Sequence, residues 1–172
     1  MSLYKASVPT YIQMLGSINT LLDRGIAHAA AKKIDQAVFT NFRLFPDMRP
    51  FTFQIQSVTD HASGSCQRLA GIEAVLPPRD ETTLDQLKLR VAKALDIVNS
   101  VSAEAVDAHA DKDVTFSMGP RKVTMKGWDY MLHFAMPNFY FHHTTAYDIL
   151  RHCGVEIGKG DFLGVMPGFP KA

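Results

Sequence analysis

Four of the seven histidines in this 172-residue chain, His133, His142, His143 and His152, fall close together near its end. Imidazoles gathered in this way can ligate a metal, move a proton or hydrogen-bond a small ligand. A helical metal pair needs two ligands one turn apart on one face. No pair here has that spacing: His133 and His142 are nine positions apart, and His142 and His143 are adjacent and point in different directions. One turn before His142 stands Asn138, so an amide and an imidazole share a face. Gln54 and His61, seven positions apart, share a face of an earlier helix. Where two such helices meet, the candidate ligand-binding residues are Gln54, Asn138 and His142. The candidate metal ligands are His61, His142 and His133. The same side chains could instead form a hydrogen-bonded network that fixes helix register. The aromatics Phe139, Tyr140 and Phe141 flank the histidines. They suit a small-molecule pocket wall or, equally, packing in the core and against a second subunit.

The elements that must position these groups follow from periodicity. A long first helix is expected over 7–31, with Ser7 as its cap and Pro9 in its first turn. A connection over 34–49, with a short helix around Gln36 to Asn41, is too apolar to be a solvated linker. A second helix runs from Pro50 to Leu69, with the apolar stripe Phe51, Ile55, Val58, Ala62, Cys66 and Leu69 and an unusually polar opposite face. After a loop over 76–81, Thr83 and Gln86 form a capping box for the third helix. A solvated loop is expected over 107–113. Val114, Phe116 and Met118, then Val123 and Met125, alternate with polar residues around Gly119-Pro120, which predicts a β-hairpin. The last helix spans Trp128 to His152 and ends at Cys153-Gly154. Pro137 should kink it between His133 and Phe141. The tail over 155–172 is expected to be an extended strap, with Phe162 and Leu163 docked. Together these make an all-α single domain over 1–172, a four-helix bundle with a small hairpin inserted before the last helix.

Composition narrows the function. Eighteen Lys and Arg against seventeen Asp and Glu, with no basic tract, argue against nucleic acid as the partner. Hydrophobic content of 47% with near-zero net charge is incompatible with disorder. No apolar run reaches the length of a membrane span, and the first residues lack the pattern of a signal peptide. Two cysteines, Cys66 and Cys153, are too few for a disulfide scaffold, so a reducing, cytoplasmic setting is expected.

Three stretches carry a family resemblance: LFPDMRPF from Leu44 to Phe51 with Gln54-Ile55-Gln56, HFAMPNFYFH from His133 to His142, and TTAYDILRHCGVEIG from Thr144 to Gly158. From Leu3 to Gly164 the chain resembles an uncharacterised bacterial domain-of-unknown-function family of the DinB/YfiT-like superfamily. The resemblance implies a DinB-like four-helix bundle that is often a homodimer. It also implies a divalent metal, zinc or nickel, held by one His on the second helix and a His-x-x-x-His pair on the last. Some members are thiol-dependent S-transferases or isomerases. Carried onto this chain, the second His of the pair matches His142 and the first falls on Asn138. The second-helix ligand falls near Gln54, with His61 one to two turns further on. An amide is a poorer ligand than imidazole for these metals. Two functions therefore stand side by side. One is a metal-free or weakly metal-binding dimer that holds a small ligand or acts in stress response. The other is a divalent-metal-dependent thiol transferase or hydrolase.

Overall fold

The computed structural model describes residues 1–168. Four long helices form the bundle: α1 (Leu3–Lys32), α3 (Phe51–Leu69), α4 (Leu84–Ser100) and α7 (Met136–His152). α3 packs between α7 and α4, and α1 closes the ring against α4 and, more lightly, α7. The short helices α2 (Gln36–Thr40), α5 (Ala103–Asp107), α6 (Gly127–Tyr130) and α8 (Lys159–Leu163) lie in the connections and the tail.

α1 begins a full turn before the expected cap at Ser7. Ser2 is its cap, accepting from the Lys5 N–H, while Ser7 is buried and donates to the Leu3 carbonyl at 2.7 Å. The early start has a tertiary cause. Asp107, at the end of α5, accepts from the Ser2 hydroxyl and from the Tyr4 N–H at 2.9 Å, satisfying helix-end donors that nothing local would satisfy. Pro9 therefore sits inside the helix. Its missing N–H leaves the carbonyl of exposed Lys5 to water, which limits the cost.

The stripe expected on α3 is buried from Phe51 to Leu69, but so is the polar face: Gln54, Gln56, Ser57, Thr59, Asp60, Ser63 and Ser65 are all within 7% exposure. A helix covered on all sides must pair its polar groups internally. α3 is thus the central element of the bundle. α4 starts with the expected Thr83–Gln86 capping box.

The hairpin forms from β1 (Asp113–Met118) and β2 (Arg121–Lys126), antiparallel, with Met118 opposite Arg121 across a Gly119-Pro120 turn. Gly119 adopts a φ of 59°, which suits glycine. The predicted solvated loop shortens, because Asp107 ends α5 and Asp113 begins β1. A lone hairpin needs support. Phe116 provides it, packing at 4.3 Å on Phe134 and 4.9 Å on Tyr130 between ring centroids.

The last helix is continuous from Gly127 to His152, and its irregularity falls at the start of the expected 133–141 stretch, beginning two residues before it. Met131–Ala135 form a π turn, in which the Met136 N–H reaches back to the Met131 carbonyl. In an α-helix the Pro137 ring would press on the His133 carbonyl. The wider turn changes the backbone path just before that conflict. The tail is not wholly extended, since α8 forms one turn. Phe162 meets His143 at 4.4 Å and the Leu163 carbonyl accepts from the Gln13 amide at 2.8 Å. The part of the expected strap over 169–172 lies outside the described residues.

Candidate functional site

The two faces picked out by spacing meet. Gln54 on α3 and His142 on α7 are bonded at 2.8 Å, Nδ1 to Oε1, and the Gln54 amide nitrogen donates to the Arg49 carbonyl at 2.9 Å. These bonds determine the proton positions. The Arg49 carbonyl only accepts, so Gln54 must present its NH2 there and its oxygen to His142. That oxygen also only accepts, so His142 Nδ1 carries the hydrogen. The Nε2 lone pair has no hydrogen-bond partner among the described residues.

His61 lies beside it, its ring nearly parallel to that of His142 with centroids 5.8 Å apart. Phe53 and Phe141 contact His142, and Phe134 from the π turn contacts His61. Both imidazoles are held neutral. Burial, then the neighbouring His142 and the Arg79 and Arg68 guanidiniums, lower His61 to about 4. Burial and Arg79 lower His142 to about 4. At neutral pH the pair offers lone pairs and N–H groups, not positive charge.

A charged lattice backs this pair. Arg79 grips Asp60 through Nε and Nη2 at 3.0 and 2.7 Å. Arg90, with its side chain only 1% exposed, binds Asp60 at 2.6 Å, Glu81 at 2.7 Å and the Pro78 carbonyl at 2.7 Å. Burial opposes ionisation of Glu81, but its bonds from Arg90 and Gln56 outweigh it and hold the carboxyl below the usual range. The proline loop is thereby fastened across α3 and α4. A cavity of about 140 Å³ opens beside His61, lined also by Asp60, Arg68, Arg79, Phe116 and Phe134.

The other predicted site residues do not join this cluster. Asn138 is half-buried on α7, and its amide donates at 2.7 Å to the Phe134 carbonyl within the π turn. His133 is exposed, and among the described residues it makes neither a side-chain hydrogen bond nor a ring contact with His61 or His142. His143 is fully buried elsewhere, bonded through Nε2 to Ser17 at 3.0 Å and to the Met14 carbonyl at 3.3 Å, beneath Phe162. The residues that sequence reasoning missed are Asp60, Arg79, Arg90, Glu81 and Phe116. Their only local signal was a carboxylate inside a helix whose polar face proved to be interior.

The chain matches the family model described as Domain of unknown function (DUF1993) over residues 3–163. It belongs to that family. Its fold is also that of a solved protein, titled a DinB family member from Shewanella denitrificans. The two are 36% identical, with 98% of this chain and 96% of that one covered and a TM-score of 0.88. Among curated proteins, none matches.

The metal that a DinB-like fold implies can be tested against the donors of this DUF1993 chain. Gln54 Oε1 is engaged by the His142 N–H and the Asn138 amide by its own helix. Among the described residues, no three His, Cys, Asp or Glu side chains converge to hold an ion. Two neutral imidazoles remain. That donor set does not fit a three-ligand zinc or nickel centre.

Proposed function

We propose that this chain binds a small organic ligand, without a resident metal, where α3 meets the π turn and the hairpin. The observation that supports it is the Arg49–Gln54–His142 relay. It holds a neutral imidazole in one tautomer, with its Nε2 lone pair unpartnered among the described residues, in a ring stacked against that of His61. His142 accepts a hydrogen bond from the ligand, and His61, which has no hydrogen-bond partner among the described residues, supplies a second. Phe53, Phe116 and Phe134 provide the apolar contact that such sites combine with a few fixed polar groups.

The test uses protein purified without a histidine tag and labelled with 15N-histidine. Phenol, whose hydroxyl can donate to the unpartnered lone pair, should shift the His142 Nε2 resonance saturably. Benzoate, which only accepts, should not, and His142→Ala should abolish the phenol binding. A variant that alters only melting, with probe binding intact, would sink the proposal. A second reading, a divalent-metal-dependent transferase or hydrolase, draws on the two parallel neutral imidazoles. Tight retention of one zinc or nickel per chain, lost in His61→Ala and His142→Ala, would favour it.

A further inference from the structure

A second, larger cavity of about 320 Å³ is walled by Phe53, where α2 and the 41–50 connection meet the start of α3. Arg43, Arg49 and Arg79 line it together with Glu81. Their charges are not equally compensated. Arg79 is paired with Asp60, and Glu81 with Arg90. Arg43 and Arg49, both exposed, form no ion pair among the described residues, so two positive charges in the lining are unpaired. Both are partly ordered in advance. Arg43 Nη1 donates to the Met48 carbonyl at 2.7 Å, and the Arg49 guanidinium lies over the Phe53 ring at 5.3 Å. An arginine stacked in this way keeps its N–H edge free for oxygen acceptors. The positive end of the α3 dipole, whose Pro50 cap makes no side-chain hydrogen bond, adds to the field.

We infer that this cavity binds a small phosphate monoester, its phosphoryl group held between Arg43 and Arg49. A phosphate monoester is close to a dianion at neutral pH, which matches the two uncompensated arginines, and arginine forks fit its oxygens in pairs. The cavity is larger than a phosphoryl group alone, leaving room for an organic remainder. Phe53 is the wall shared with the histidine pair, touching His142 at 5.9 Å between ring centroids, and Arg79 lines both cavities. The phosphoryl anchor stands on the arginines. The course of the remainder along Phe53 toward His142 rests on the ligand-binding reading proposed above.

The test titrates the tag-free, 15N-histidine-labelled chain with inorganic phosphate, phenyl phosphate and phenol by calorimetry and NMR. Both phosphates should bind saturably, with phenyl phosphate the tighter of the two. Of the two phosphates, only phenyl phosphate should shift His142 Nε2, as phenol does. The Arg43→Gln, Arg49→Gln double variant, folded as judged by its melting curve, should lose at least about tenfold in affinity for both, the value of a charge-assisted bond or more. Wild-type phosphate affinity in that variant, or no saturation by either phosphate, overturns the inference. Equal affinities for the two phosphates, with His142 unmoved, overturn the link to the histidine pair alone.

Discussion

Replacing Gln54 with Leu tests the relay directly. Gln54 is 2% exposed, and leucine keeps an apolar stem of similar size there while removing both relay bonds. Each neutral hydrogen bond contributes about 1 kcal/mol net. Both bonds are only partly buried, so the full penalty of a buried orphan does not apply. Stability should therefore fall by about 1–2 kcal/mol. For a chain of this length that is a melting temperature lower by about 2–8 °C. The sharper consequence is chemical. A bond of about 1 kcal/mol biases the His142 tautomer ratio about fivefold, so the variant should show a population moved about fivefold away from the Nδ1–H form. Long-range 1H–15N correlation spectra at pH 7.5 read this without reference to any ligand. An unchanged Nδ1–H signature in Gln54→Leu would refute the reasoning. Gln54→Glu gives the complementary result: a carboxylate there favours the charged imidazole, so His142 should titrate well above 4.

The remaining predictions concern acid, the charge lattice and the thiols. His61, His142 and His143 are all lowered to about 4, chiefly by burial, whereas the unfolded chain takes up these protons near 6.5. Stability should hold above pH 6.5 and fall as pH drops from there to 4. His143, fully buried, accounts for about 3 kcal/mol of that loss, so His143→Phe should flatten the acid limb of urea midpoints. An unchanged limb would show that His143 is not held neutral. Arg90→Met should cost about 3–5 kcal/mol by removing the only cation paired with Glu81 among the described residues and leaving Asp60 to Arg79 alone, measured by urea unfolding. Lys88→Ala, which breaks the exposed pair with Asp23, should cost less than about 1 kcal/mol in the same assay. Burial pushes Cys66 up to about 12 and leaves it fully covered, while Cys153 is half-buried. Native protein should thus show one slowly reacting thiol toward a disulfide reagent, and two after denaturation.

Where local signals were dense, the sequence was legible. The α4 capping box, the Gly119-Pro120 hairpin and the α3 stripe each depend on neighbours a few positions away, and each stands as read. Where the deciding partner is remote, reading failed. The start of α1 depends on Asp107, more than a hundred residues distant, and no feature near Ser7 reveals it. The π turn arises because Pro137 constrains the turn before it, so the proline marked a break without locating it.

The site divides in the same way. Residue type and spacing sufficed to place Gln54 and His142 on faces that could meet, and to show that a His-x-x-x-His pair is missing. Those are properties of one helix at a time. Only the packing of α3 against α7 decided that Gln54 would bond His142, that Asn138 would turn to its own backbone and that His133 would face solvent. The protonation of the cluster is tertiary for the same reason. Burial beside Arg79, brought in by a loop fastened through Arg90 and Asp60, keeps both imidazoles neutral, and no count of histidines along the chain contains that information.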